Sequence, residues 1–237
     1  MANDAALLRI PFPEDSHWLE QRLLQLIAAN NCPEATLRVI VLRNKGGMWE
    51  GPGIDRPWDL YAFTSALKNW GSSVRLGLVP QARHAACEYA GTKMLSWSFN
   101  LCMYERAQEE GFDEVILLNE RQEVSELTSA NLFAVYGNEV LTPPLASGCL
   151  PGITRALLLE EISVPGITVR EATLQLSDLE RADGLFITSS TRDLLAVSSI
   201  DTLNIHQNDS VRQRLNDAFQ RYLDQYCRTQ SKQLAIT

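Results

Sequence analysis

The chain has no Cys-x-x-Cys pair. Its five cysteines, Cys32, Cys87, Cys102, Cys149 and Cys227, are odd in number and widely scattered. That pattern suggests neither a zinc site nor a disulfide framework. Histidine is scarce: His17, His84 and His206 lie far apart, and surface or capping roles are expected of them, with no metal. No apolar run is long enough to span a bilayer. The segment leading to Arg9 carries an acid, Asp4, and lacks the apolar stretch of a signal peptide. A cytoplasmic protein without a membrane partner is therefore expected. Clustered Lys/Arg is absent too, and the net charge is −8, which argues against a nucleic-acid surface. Internal repeats and low-complexity tracts are also missing.

What is present is a globular composition: 237 residues, 45% hydrophobic and 21% charged, enough for one large domain or two small ones. Arg9 to Pro13 reads as extended chain, because each proline turns its predecessor away from helix. Asp15 or Ser16 can cap a helix from His17 to about Asn30, with Leu19, Leu23, Leu24, Ile27 and Ala28 on one core-facing stripe. Thr36–Arg43, Trp58–Ala66 and Ser73–Val79 read as strands, and with the helix they form an α+β unit. The glycine-dense loop from Asn44 to Gly53 lacks the Lys-Ser ending of a nucleotide P-loop. A substrate-side loop or a plain strand connection remains, with the plain connection slightly favoured.

After an irregular stretch from Gln81 to Gly91, a helix is expected over Met94–Gly111, with Lys93 at its entrance and Gly111 as its terminal glycine. Strands follow at Val115–Leu118, Val124–Leu127 and Asn131–Tyr136, the last turning at Gly137-Asn138 into Val140-Leu141. A helix over Ile153–Ile162 comes next, then a strand over Ile167–Leu174 and a short helix capped by Ser177. Strands at Gly184–Thr188 and Leu194–Ile200 flank a Ser189-Ser190-Thr191 turn. An amphipathic helix closes the chain from Asp209 to about Arg228.

Four features carry chemistry. Lys93 follows Ala90-Gly91-Thr92 and precedes apolar Met94 and Leu95. An amine that condenses with an aldehyde must be partly neutral, and desolvation moves it that way; a single lysine is otherwise usually solvated. Glu126 lies among apolar residues of a strand, where a buried carboxylate needs a cation, such as a protonated pyridine nitrogen. A strand-edge glutamate facing water is an equal alternative. Leu150-Pro151-Gly152-Ile153-Thr154 opens a helix, so backbone N–H groups and the positive end of the helix dipole are offered to a phosphate. Ser189-Ser190-Thr191 is a second small-polar turn, either a phosphate donor or a plain turn.

Taken together, Lys93, Glu126-x4-Asn131-Leu132-Phe133, Leu141-Thr142-Pro143-Pro144 and Leu150-Pro151-Gly152-Ile153-Thr154-Arg155 resemble the signature of the class IV aminotransferase family. The resemblance runs from about Arg9 to Asp201 and is dense from Ala90 to Arg155. The group includes branched-chain aminotransferases, D-amino-acid transaminases and aminodeoxychorismate lyases. It implies an α+β, two-domain fold-type IV enzyme with pyridoxal 5'-phosphate as cofactor, a small amino substrate and a homodimer.

By position, the resemblance gives Lys93 the covalent attachment of the cofactor and the proton shuttle. It gives Glu126 the pyridine nitrogen, Leu150 the ring face, and Ile153, Thr154 and Ser190 the phosphate. Arg9, in Leu8-Arg9-Ile10-Pro11, matches the family's phosphate-binding arginine. The family has further small-domain strands before that arginine, so an incomplete small domain is expected over residues 1–85 and the cofactor domain over 86–237. Lys93–Ser98 lacks the tyrosine of the branched-chain branch and is closer to the lyase and D-amino-acid branches. Arg43–Trp49 also looks like the lyase branch. Three readings follow: an amino-group transfer enzyme, a 4-amino-4-deoxychorismate lyase, and a truncated, non-catalytic member.

Overall fold

The computed structural model describes residues 1–12, 15–46, 54–205 and 209–234. Pro13, the Gly47 to Gly53 part of the glycine-dense loop and His206 lie outside the described residues. The chain divides into two compact units, one of Met1–Asn69 with Thr92–Ser96, the other of Trp70–Gly91 with Trp97–Thr237.

The first unit holds helices α1 (Ala2–Leu7) and α2 (Ser16–Ala29) and the antiparallel pair β1 (Thr36–Arg43) and β2 (Trp58–Ser65). Asp15 caps α2 by accepting the Trp18 N–H at 3.0 Å, as expected of an N-cap carboxylate. Asn30, just past the helix, donates through Nδ2 to Thr64 Oγ1 of β2 at 2.9 Å. Trp58 meets Phe12 and Trp18 edge-on, at ring separations of 5.3 and 6.1 Å. The sequence did not announce α1. The expected core stripe of α2 is corrected: no α2 residue is buried, and Leu24 is exposed. One helix on two strands has too little apolar surface to enclose a stripe.

The second unit is built on a nine-stranded sheet in the order β5-β4-β3-β10-β9-β6-β7-β8, with β11 against β10. Its strands are β3 (Ser73–Arg83), β4 (Glu114–Asn119), β5 (Val124–Leu127), β6 (Asn131–Tyr136), β7 (Glu139–Thr142), β8 (Thr168–Glu171), β9 (Gly184–Ser189), β10 (Asp193–Ile200) and β11 (Leu203–Asn204). Its helices are α3 (Ser98–Glu109), α4 (Ile153–Glu160), α5 (Leu176–Leu179) and α6 (Ser210–Leu234). β3 does not join the N-terminal strands as the sequence suggested. It runs parallel to both β4 and β10; the crossover through α3 returns the chain to β4 parallel to β3.

β4 is buried along its whole length. Val115 and Leu117 face Met103 and Ala107 of α3, while Ile116 and Leu118 join the opposite cluster with Leu76, Leu132 and Leu179. A strand covered on both faces reads as an unbroken apolar run. On β6 and β9, Phe133 and Phe186 are register partners with rings stacked at 4.9 Å. They pack with Leu158 of α4 and Val211, Leu215 and Phe219 of α6.

Two expectations shift. α3 starts at Ser98, four residues later than expected from Met94, and leaves Leu95 and Phe99 exposed. α5 is capped by Gln175 and Asp178 in a reciprocal box rather than by Ser177.

Candidate active site

Glu126 sits on β5, the edge strand of the sheet, opposite Leu117. It does not face water. Its side chain is only 12% exposed and pairs with Arg83, which is 18% exposed. Arg83 Nε donates to Oε1 at 2.9 Å, and the Leu150 N–H donates to Oε2 at 2.9 Å. Arg83 is held in turn by Asn100, whose Oδ1 accepts from Nη2 at 3.1 Å and whose Nδ2 donates to the Thr128 carbonyl at 2.9 Å. The sequence foresaw that this carboxylate needs a cation. It missed that Arg83 supplies one, because no local spacing links positions 43 residues apart.

The bond from Leu150 ties Glu126 to the turn that opens α4. Asn131, at the start of β6, holds the same turn from below by donating through Nδ2 to the Leu150 carbonyl at 2.9 Å. Its Oδ1 fills the space where a side chain on Gly152 would go. Gly91 is similarly constrained: its φ is +72° and a Cβ there would meet the Cys149 carbonyl at 2.7 Å. Beyond Gly152, the N-cap, Ile153 is exposed and Thr154 is buried. The first amides of a helix have no intrahelical acceptor, so this end presents donors and the positive pole of the dipole. Arg155 anchors the first turn from inside, donating through Nη2 to the Pro143 carbonyl at 2.8 Å and pairing with Glu171.

The Ser189–Thr191 turn links β9 to β10, with Ser190 exposed. It belongs to the same construction, because Thr188 is the register partner of Asn131. Thr188 is buried, and its Oγ1 has no hydrogen-bond partner among the described residues. The structure thus joins Glu126 of β5 to the turn of Leu150, Ile153 and Thr154, and the register of β6 and β9 puts the Ser190 turn at the end of the strand beside Asn131. Asn131 is the link between them, a residue quoted in the sequence motif without a role.

Lys93 and Arg9 belong to the first unit. Lys93 is exposed, two residues after Gly91, in the loop before α3 rather than at the helix entrance. Arg9 is exposed just after α1, with a left-handed φ of 54°. Among the described residues, no helix is long and apolar enough to cross a membrane, and no group of His, Cys, Asp or Glu could hold a metal ion.

The two units, the curled mixed sheet and the joined acid and helix end define the α+β fold of fold-type IV enzymes. The chain belongs to the class IV aminotransferase family: the family model described as amino-transferase class IV matches residues 1–200. It is similar to the branched-chain-amino-acid aminotransferase of Escherichia coli, with 25% identity covering 92% of this chain and 74% of that one. It is 28% identical to the D-alanine aminotransferase of Bacillus licheniformis over 77% of this chain and 65% of that one. Among solved structures, a Legionella pneumophila protein described as a 4-amino-4-deoxychorismate lyase superposes with a TM-score of 0.85 at 26% identity, covering 93% of this chain and 82% of that one.

Proposed function

We propose that this chain is a pyridoxal-phosphate-dependent aminotransferase acting on a small amino acid, with Lys93 as its catalytic amine. The observation that carries the reading is the Leu150 N–H bond to Glu126. It couples an acid to a helix N-terminus, matching a ligand with a basic ring nitrogen at one end and a phosphate at the other. The residues present fit that ligand. The amides of Ile153 and Thr154 and the Ser190 hydroxyl would be its phosphate donors, with Arg9 as the cation that the family resemblance assigns to the phosphate. Leu150 would pack on the ring. Glu126 has Arg83 as a structural counter-ion, and its two oxygens have lone pairs for more than one donor. When bound, the cofactor supplies an electron sink, strengthened by a protonated ring nitrogen. Lys93 would hold the group through its amine and, once free, would take the proton from the substrate α-carbon.

The first unit is proposed as the small domain and the second as the cofactor domain, in a cytoplasmic homodimer. A second reading, a 4-amino-4-deoxychorismate lyase, is favoured by the likeness to the Legionella structure. The proton-moving role of Lys93 is common to both. Purified protein is offered amino donors with a keto-acid acceptor, and separately aminodeoxychorismate without one. Acceptor-dependent turnover that is lost in Lys93→Ala is expected. Pyruvate release without an acceptor moves the assignment to the lyase. No turnover in either assay rejects both.

A further inference from the structure

Two turns of the second unit and the start of β4 meet at one buried ion pair. Glu114, the first residue of β4, is fully buried, and Arg192, in the turn between β9 and β10, is buried beside it. Arg192 Nη2 donates to Glu114 Oε2 at 3.2 Å. Around Glu114, the Thr128 hydroxyl donates to Oε1, the Ser129 hydroxyl donates to Oε2 at 2.7 Å, and the Val115 N–H reaches Oε1 at 3.2 Å. Around Arg192, Nη1 donates to the Ser129 carbonyl at 3.1 Å and Nη2 to Ser129 Oγ at 3.0 Å, with the guanidinium 3.8 Å from the centre of the Trp70 ring. Burial lowers the Arg192 pKa, while Glu114 and Tyr104 pull it back up.

An ion pair withdrawn from water stabilises a core little better than apolar residues of the same volume. What this pair does supply is position. Arg192 Nη1 also reaches Ser189 Oγ at 3.4 Å, and the Thr191 N–H points at that same oxygen at 3.4 Å. Thr191 Oγ1 is 3.5 Å away. With two N–H donors aimed at it, Ser189 Oγ is an acceptor on its inner side. Its single O–H is left for Thr191 or for an anion at the turn.

We propose that Arg192, backed by Glu114, is the positioning residue of an anion-binding turn at Ser189–Thr191. It orients the hydroxyl donors toward a phosphate monoester and places a permanent cation behind them. The inference rests on the cofactor reading above, in which Ser190 contacts phosphate.

The test compares the dissociation constants of pyridoxal phosphate and pyridoxal for the wild-type chain, Arg192→Lys, and the charge-neutral double variant Glu114→Gln/Arg192→Met. Folding of each is followed by circular dichroism. Losing one oriented donor to a charged group weakens binding about tenfold or more. The double variant is expected to fold and to lose about tenfold of the preference for the phosphorylated ligand, with pyridoxal affinity unchanged. Arg192→Lys keeps the charge against Glu114 but lacks the fork that reaches Ser129 and Ser189 together. It is expected to fold and lose preference several-fold, so it decides the matter if the double variant does not fold. An unchanged preference in a folded variant overturns the inference and leaves the ion pair a core contact. Failure of the wild-type chain to bind pyridoxal phosphate overturns the cofactor reading instead.

Discussion

Gly152→Ala tests how tightly the helix-opening turn is built. The glycine is needed for room, not for backbone freedom, since its φ of −64° is open to any residue. An added Cβ would overlap Asn131 Oδ1. Asn131 would have to swing away, breaking its 2.9 Å bond to the Leu150 carbonyl in a buried setting. A lost buried hydrogen bond costs about 1–3 kcal/mol, and overpacking costs about as much again. Because one movement of Asn131 relieves the second while causing the first, the sum is held to about 2–4 kcal/mol. For a chain of this size that lowers Tm by roughly 6–12 °C. The decisive form is a double-mutant cycle with Asn131→Ala in thermal and urea unfolding. Removing Asn131 removes the clash, so the double variant should be less destabilised than the sum of the singles by about 1–2 kcal/mol. Strict additivity, or a Gly152→Ala loss below about 0.5 kcal/mol, would refute the reasoning.

Two further outcomes follow from titration and burial. The Glu123 carboxyl is held down at about 2, chiefly by its hydrogen bonds from Arg121, with Asn119 and Ser147 adding to them against the cost of burial. Stability from a depressed carboxyl is fully present above its ordinary value, about 4.3, and is lost as pH falls through about 2. Glu123→Gln should therefore cost about 1–2 kcal/mol at neutral pH, allowing for solvent around half-exposed Arg121, and the difference from wild type should close in acid unfolding curves. A gap that stays constant with pH would sink this assignment. Cys149 is buried and its thiol is pushed up to about 11 by burial. In alkylation mapped by mass spectrometry at mild alkaline pH, it should react after exposed Cys87, Cys102 and Cys227. Early labelling of Cys149 would show that the Gly148–Gly152 turn opens readily.

Much of the fold was legible where a signal is local. The β-branched run Thr36–Arg43 and the run from Gly184 gave strands at the expected places, and Gly111 ends α3 with φ +86°. Helix faces were less legible. Periodicity marks a stripe but not what covers it, so Leu24 was expected in a core and is exposed. Helix starts slipped for the same reason, since Met94 to Trp97 fit the period yet lie before α3. The acid and the helix end of the candidate site were readable from Glu126 and the Pro-Gly turn. Their partners were not. Arg83, Asn131 and the Glu114–Arg192 pair act across strands that meet only in the folded sheet. The one sequence hint was a charge set directly against an apolar run, Glu114 before Val115–Leu118.

The central claim is that Lys93 carries the cofactor. Borohydride reduction of the protein saturated with pyridoxal phosphate, followed by digestion and mass spectrometry, locates the attached pyridoxyl group. The other lysines are Lys45, Lys68 and Lys232. The account predicts stoichiometric label on Lys93 and its loss in Lys93→Ala. Label spread over the other lysines, or unchanged in Lys93→Ala, would contradict it.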